Sequence, residues 1–336
     1  MGDKEIIKII REAGGNPLAR DKKGRTPFSI VLPRSLDVIK EVLGDNVNIT
    51  DTDGNTPVHI VAGSNTPKEV LLFLIENGYP IDTRNADGYT PLNYSIEKED
   101  MNSVLVLLEN GANPNMQDIN GKNAYHVAAQ MQNKEIIRLI RNAGGNPLSR
   151  DKMGNTPFST VLYADNKIIS EVLGNSTTIT DSDGNTPIHI VVKANASDDL
   201  LRYLIGRGYP VDTRNAEGYT PLNWAIEKND IKTALVLLEN GANPFQSIDK
   251  KGNNGVTIAL ANKNKTMLSN IVKYAGNLSD VQGNTILHYA AKMGTETQIV
   301  HLLSLGLDRT ATNLNGETPS KMAARWGRPA IAELLK

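Results

Sequence analysis

One short pattern, Gly-x-Thr-Pro, returns along the whole 336-residue chain, beginning at Gly24, Gly54, Gly88, Gly154, Gly184, Gly218 and Gly316. Weaker copies begin at Gly121 (Gly-Lys-Asn-Ala), Gly252 (Gly-Asn-Asn-Gly) and Gly283 (Gly-Asn-Thr-Ile). With the weaker copies included, successive starts are separated by 30 to 34 residues. That makes ten starts, with half a unit before the first. A repeat of this length is one small supersecondary unit. It cannot bury an apolar face alone, so its neighbours must stack on it.

Each unit reads the same way. Glycine in a tight turn tolerates positive φ. The threonine hydroxyl can cap a helix, and proline suits the first helical position, where its missing N–H would have no partner. A short apolar helix follows, as in residues 57–62 (PVHIVA). A second, amphipathic helix comes next, as in 232–239 (KTALVLLE). It stops at Asn-Gly-Ala-Asn-Pro, with Gly241 as the left-handed cap and Pro244 blocking continuation. A polar, extended stretch such as 81–90 (IDTRNADGYT) leads to the next glycine. Neither helix is long enough to stand alone, so stability must come from stacking.

Gly-x-Thr-Pro-Leu-His, two alanine-like positions, Leu-Leu and Asn-Gly-Ala-Asn-Pro together resemble the ankyrin repeat. The best matches are Gly88–Asn115 and Gly218–Pro244, and the resemblance covers essentially the whole chain. It implies an all-α solenoid of stacked helix-turn-helix units with protruding β-hairpin loops. It also implies that partners bind the hairpin tips and the concave face of the first helices.

A longer period lies over the short one. DKKGRTPFSIVL (21–32) returns as DKMGNTPFSTVL (151–162), and GYPIDTRNADGYTPLNYSIE (78–97) returns as GYPVDTRNAEGYTPLNWAIE (208–227), matching at 16 of 20 positions. Position 21 thus recurs at 151 and position 78 at 208, a displacement of four units, and the copy decays from Lys251 onward. We therefore expect a single array over 1–336. It comprises a partial leading repeat (1–23), a four-repeat block (24–153), its partly decayed duplicate (154–282) and two last repeats (283–336). The units begun by Gly24 and Gly154 are the shortest, since the next starts follow already at Gly54 and Gly184. They also lack the Asn-Gly-Ala stop, so local curvature should change there. Residues 2–21 align with 132–151, the second helix of the Gly121 unit. The chain thus starts inside a unit, as expected of an excised piece of a longer protein, with Met1-Gly2 read as a cloning remnant.

Bulk chemistry excludes several functions. With 36 basic and 37 acidic residues the formal net charge is -1, which argues against nucleic acid and against a polybasic membrane surface. No stretch approaches the eighteen or so apolar residues of a bilayer span, so no membrane insertion is expected. No signal peptide is recognisable. The chain has no cysteine, which removes disulfides, thiolate nucleophiles and Cys-ligated zinc. A cytoplasmic location is expected, with export as the competing reading. The expected state is a monomer, with end-to-end association through exposed end layers as the alternative.

Chemical motifs dissolve into the repeat. His59, His126, His189 and His288 recur at one position of the unit, on different layers. The resemblance places this histidine at the base of the turn, bonded to the next layer's backbone, and not on a metal. Asp51-Thr52-Asp53-Gly54-Asn55 and its copy at Asp181 look like the start of a calcium loop. The twelfth-position glutamate is absent, since Ala62 stands there. No phosphate-binding loop or nucleophile elbow appears. No catalytic residue, metal or cofactor is expected.

Binding residues should be exposed where the fold does not require them. Tyr89 and Tyr219 follow the turn glycine where most units carry Asn, Arg or Lys, and Arg84 and Arg214 stand in the approaching limb of the hairpin. Tyr163 and Trp326 lie near the ends of first helices. Tyrosine and arginine are enriched in interface hot spots. The competing reading packs the tyrosine pair on a neighbouring hairpin, and Tyr94 and Trp224 are expected between layers. If both copies keep the site, two patches stand four layers apart, ~40 Å at ~10 Å per layer, and suit a bivalent partner. The expected function is a non-catalytic protein-binding scaffold. The alternative is a regulatory or targeting segment of a larger enzyme or effector.

Overall fold

The computed structural model describes residues 3–246 and 249–336, so the Met1-Gly2 pair lies outside the described residues. Two compact units emerge, Met1–Asn175 and Ser176–Lys336. Their boundary falls after the helix pair of the second shortened repeat, later than the start of the sequence duplication at Gly154.

The first unit begins with α1 (Asp3–Glu12) and continues as five helix pairs. These are α2 (Pro27–Val31) with α3 (Leu36–Leu43), α4 (Pro57–Ala62) with α5 (Lys68–Glu76), and α6 (Pro91–Glu97) with α7 (Met101–Glu109). Then come α8 (Ala124–Met131) with α9 (Lys134–Asn142) and α10 (Pro157–Thr160) with α11 (Asn166–Leu173). The second unit holds α12 (Pro187–Lys193) with α13 (Asp198–Gly206), α14 (Pro221–Glu227) with α15 (Ile231–Glu239), and α16 (Gly255–Asn262) with α17 (Lys265–Ala275). It ends with α18 (Ile286–Met293) with α19 (Glu296–Ser304) and α20 (Pro319–Arg325) with α21 (Pro329–Leu334). Among the described residues ten pairs follow a lone helix, matching the ten starts and half unit of the sequence.

The local signals act as their chemistry requires. In α4 the Thr56 hydroxyl accepts the His59 N–H while Pro57 opens the helix. Second helices close on a left-handed glycine. Gly111, at φ +88°, donates to the Leu108 carbonyl at 3.1 Å, and Ala112 reaches back to Leu107 at 2.9 Å. The shortened repeat lacks this exit, and Gly44 caps α3 directly. Within each unit first helices pack on first helices and second on second, burying Leu74, Leu92, Ile96 and Leu107 completely in one unit and Leu204, Leu222 and Leu237 in the other.

No strand occurs among the described residues. The hairpins are closed turns, and where a turn is tied to the next through the backbone, as at Gly54, Gly88, Gly121, Gly184 and Gly283, a single bond makes the tie. Asp51 N–H donates to the Asn55 carbonyl at 2.9 Å, and Ala86 N–H to the Asp53 carbonyl at 2.8 Å. One bond per neighbour makes a tie, not a ladder.

Candidate protein-interaction face

The repeated titratable groups all have structural work. Asp51 is buried, and its carboxylate accepts the backbone N–H of Asp53 at 2.9 Å and of Asn55 at 2.8 Å, plus the Asn55 amide at 3.1 Å. Arg20 adds an ion pair at 2.6 Å to Asp51 and another at 2.7 Å to Asp53. Burial pushes the Asp51 carboxyl up, but the Asn55 donors and Arg20 outweigh it and leave the group below the usual carboxylate range. The residues that imitate a calcium loop therefore spend their oxygens on the turn itself.

The histidines behave alike. His59 is fully buried, its Nδ1 facing the Thr56 hydroxyl at 2.9 Å and its Nε2 the Tyr89 carbonyl at 2.9 Å. The carbonyl can only accept, so Nε2 carries the proton, and Nδ1 accepts the Thr56 N–H at 3.2 Å, so the ring is neutral. His126 reaches the Asn155 carbonyl, His189 that of Tyr219 and His288 that of Glu317 in the same way. Both ring nitrogens are thus occupied. Among the described residues no group of three or more His, Cys, Asp or Glu could hold a metal ion.

The face made of turns and first helices carries the aromatic side chains expected from the sequence, though not all of them stand free. Tyr89 is half-buried with its ring 6.3 Å from that of Tyr94, edge to face. Tyr94 in turn meets His59 of the preceding layer at 5.9 Å. The second unit repeats the stack, with Tyr219 at 6.3 Å from Trp224 and Trp224 at 5.4 Å from His189. Tyr94 and Trp224 thus lie between layers. Burial first, and then Glu97, pushes the Tyr89 hydroxyl up to about 12. Burial, Glu227 and Asp249 do the same for Tyr219, also to about 12. Both hydroxyls stay protonated at neutral pH beside these carboxylates.

Arg84 is exposed, with one guanidinium nitrogen 3.8 Å from the Met116 sulfur. Arg214, also exposed, donates to the Gln246 carbonyl. Each arginine is steadied by the neighbouring loop while the rest of its fork faces solvent. Tyr163 stands 82% exposed just beyond α10. Trp326 is 50% exposed at the end of α20, with the Lys292 ammonium 4.5 Å from its ring centre.

Sequence reasoning missed what surrounds Trp326. A cleft of about 200 Å³ runs between the last two layers, lined by Asp280, His288, Tyr289, Lys292, Arg325 and Trp326 among others. Tyr289 donates to Asp280 at 2.7 Å, and Arg325 pairs with Glu317 at 3.2 Å. A lysine and a tryptophan close to one unit length apart are the only sequence signal. The Arg20 clamp left one as well, because Arg20 and Arg150 precede the duplicated Asp-Lys turn.

A stack of capped helix pairs with a structured turn face defines a repeat protein of the interaction class. Models of the ankyrin repeats match residues 29–118, 159–249 and 256–336, and a further one matches 96–141. The chain belongs to the ankyrin-repeat family, whose repeats are protein–protein interaction modules. It is similar to mouse Rabankyrin-5, at 26% identity over 138 residues, covering 40% of this chain and 12% of the relative. It is also similar to the mouse B-cell lymphoma 3 protein homolog, at 27% over 169 residues, covering 47% and 37%. Human palmitoyltransferase ZDHHC13 matches at 30% over 175 residues, covering 41% and 28%. The chain therefore spans well under half of each relative's length. No helix among the described residues is long and apolar enough to cross a membrane.

Proposed function

We propose that this chain is a non-catalytic scaffold that holds a protein partner on the turns and first helices of its two units. The observation that carries the reading is a recurrence. Each unit sets an aromatic pair, Tyr89–Tyr94 or Tyr219–Trp224, beside an exposed arginine, Arg84 or Arg214. Rigid rings and a steadied guanidinium give large contact area at low entropic cost. Tyr163 and the Lys292–Trp326 pair extend the same type of surface. A protein partner fits better than nucleic acid, since the formal charge of -1 offers no phosphate-binding excess.

A second reading makes the array the targeting or regulatory part of a larger protein. It is favoured by the partial coverage of every relative above, one of which is named as a palmitoyltransferase. Both readings use the same face. A photo-crosslinking residue placed at Tyr163 or Trp326 should capture a partner several-fold more efficiently than one at Lys232 on the second-helix side. Capture led by Lys232 would move the site to the other face.

A further inference from the structure

The face of turns and first helices changes sign within the second unit. In its first two layers, over 181–194 and 215–228, Asp181, Asp183, Glu217 and Glu227 outnumber Lys193 and Lys228. In the three layers that follow, over 249–262, 280–293 and 313–326, Lys250, Lys251, Lys292, Lys321 and Arg325 outnumber Asp249, Asp280 and Glu317. The whole chain carries a formal net charge of -1, so this basic excess is local.

The three carboxylates are moreover occupied. Asp280 accepts the backbone N–H of Gln282 and of Asn284 at 2.8 Å each, the Asn284 amide at 2.9 Å and the Tyr289 hydroxyl at 2.7 Å. Asp249 closes its own turn in the same way onto Lys251 and Asn253, and Glu317 pairs with Arg325. The cations keep more in reserve. Lys292 is exposed, and its contact with the Trp326 ring orients the ammonium without supplying an oxygen acceptor. Glu317 meets Arg325 at Nε, and with that side chain 54% exposed the outer edge of the guanidinium is open to an acceptor. Both cations line the cleft of about 200 Å³ between α18 and α20.

Beside the cleft stand two apolar tips. Val281 and Leu314 hold the same place in consecutive turns, which the bond from the Leu314 N–H to the Gln282 carbonyl joins at 2.9 Å. They are 83% and 79% exposed. In the other turns of the unit that place carries Ser182, Ala216 or Lys250. Exposed aliphatic side chains side by side gain by being covered. The opening belongs to the repeat itself, because the place of Trp326 is also exposed at Lys98, Lys228 and Met293, in layers that another layer follows.

We propose that the cleft and the two tips receive an acidic segment of the partner protein. One carboxylate enters between Lys292 and Arg325, and an aliphatic or aromatic side chain lies on Val281 and Leu314. Such a site rests on the reading that the turn face holds protein, and it selects which part of the partner lies across these layers. The carboxylate gains charge-assisted bonds to two steadied cations, and the lysines around it favour its approach. Phosphate groups would leave the tips uncovered, so an acidic peptide fits better than nucleic acid.

The probe is a displayed library of short random peptides, selected on the full chain, with the recovered peptides resynthesised and titrated by fluorescence anisotropy. They are expected to combine Asp or Glu with Leu, Ile or Phe and to bind more weakly as salt rises. Affinity should fall about tenfold when the peptide's acid becomes an amide, or when the chain carries Lys292→Glu. Val281→Ser with Leu314→Ser, at exposed positions, should weaken the same peptides severalfold while circular dichroism and Tm stay unchanged. Tyr89→Ala with Tyr219→Ala should leave them bound. Recovered peptides without acids, binding indifferent to both cleft variants, or no recovery at all would overturn the site. Loss on the tyrosine variant alone would also overturn it, while keeping protein binding on the turn face. Peptides that bind every variant as they bind the wild type would contradict both. A labelled single-stranded oligonucleotide titrated in parallel should not bind, and binding abolished by Lys292→Glu would assign the patch to nucleic acid instead.

Discussion

His189 has its Nδ1 on the Thr186 hydroxyl and its Nε2 on the Tyr219 carbonyl, and burial drives its pKa down to about 4. His59 and His126 move the same way for the same cause. The unfolded chain binds these protons near pH 6.5 and the folded one does not, so their stabilisation is complete above ~6.5 and declines as pH falls towards 4. Asp82 and Asp212, raised by burial, oppose this only nearer their own range. Tm should therefore drop between pH 6.5 and 4.5, and His189→Asn should flatten the profile. An unchanged slope would separate the histidine from the acid response. Asn93 marks the complementary defect. It takes the histidine's place in its layer, and its buried Nδ2 finds no partner. Asn93→His should add the bond to the next layer's Lys122 carbonyl, stabilising by about 1 kcal/mol in urea titration.

Turns decide how well consecutive layers hold. At Gly88, φ is +77° and a Cβ would stand 2.7 Å from the Ile119 nitrogen, because the next turn docks there. At Gly24 φ is +75° but nothing lies within 4 Å, and Arg20 makes the connection instead. Both Gly→Ala changes incur about 1–2 kcal/mol of left-handed strain. Gly88→Ala should cost clearly more, since the Ile119 N–H to Asp87 carbonyl bond must also shift. Equal denaturation midpoints for the two variants would mean that the backbone tie contributes little. The helices themselves were legible, because Thr-Pro starts and Asn-Gly-Ala stops act through local chemistry. The hairpin limbs were expected as β-hairpins and form tied turns, since the Asx bonds of Asp51 and its equivalents tighten the turn before a ladder can extend. The partners of Tyr89 and Trp326 were not legible. Glu97 and Lys292 reach them through side-chain conformations that no spacing rule specifies.

At the scale of the molecule, duplication has given each unit one aromatic–arginine patch. The array was readable from its period alone. The central claim is that the turn face of both units binds protein. It is tested most directly by affinity capture from native lysate, quantified by mass spectrometry. The wild-type chain is compared with a fourfold variant carrying Arg84→Ala, Tyr89→Ala, Arg214→Ala and Tyr219→Ala, both shown to be folded. The expected result is a specific protein enriched by the wild type and reduced at least tenfold by the variant, about 1.4 kcal/mol or more of lost binding. Equal recovery of that protein by both chains would contradict the assignment of function to this face.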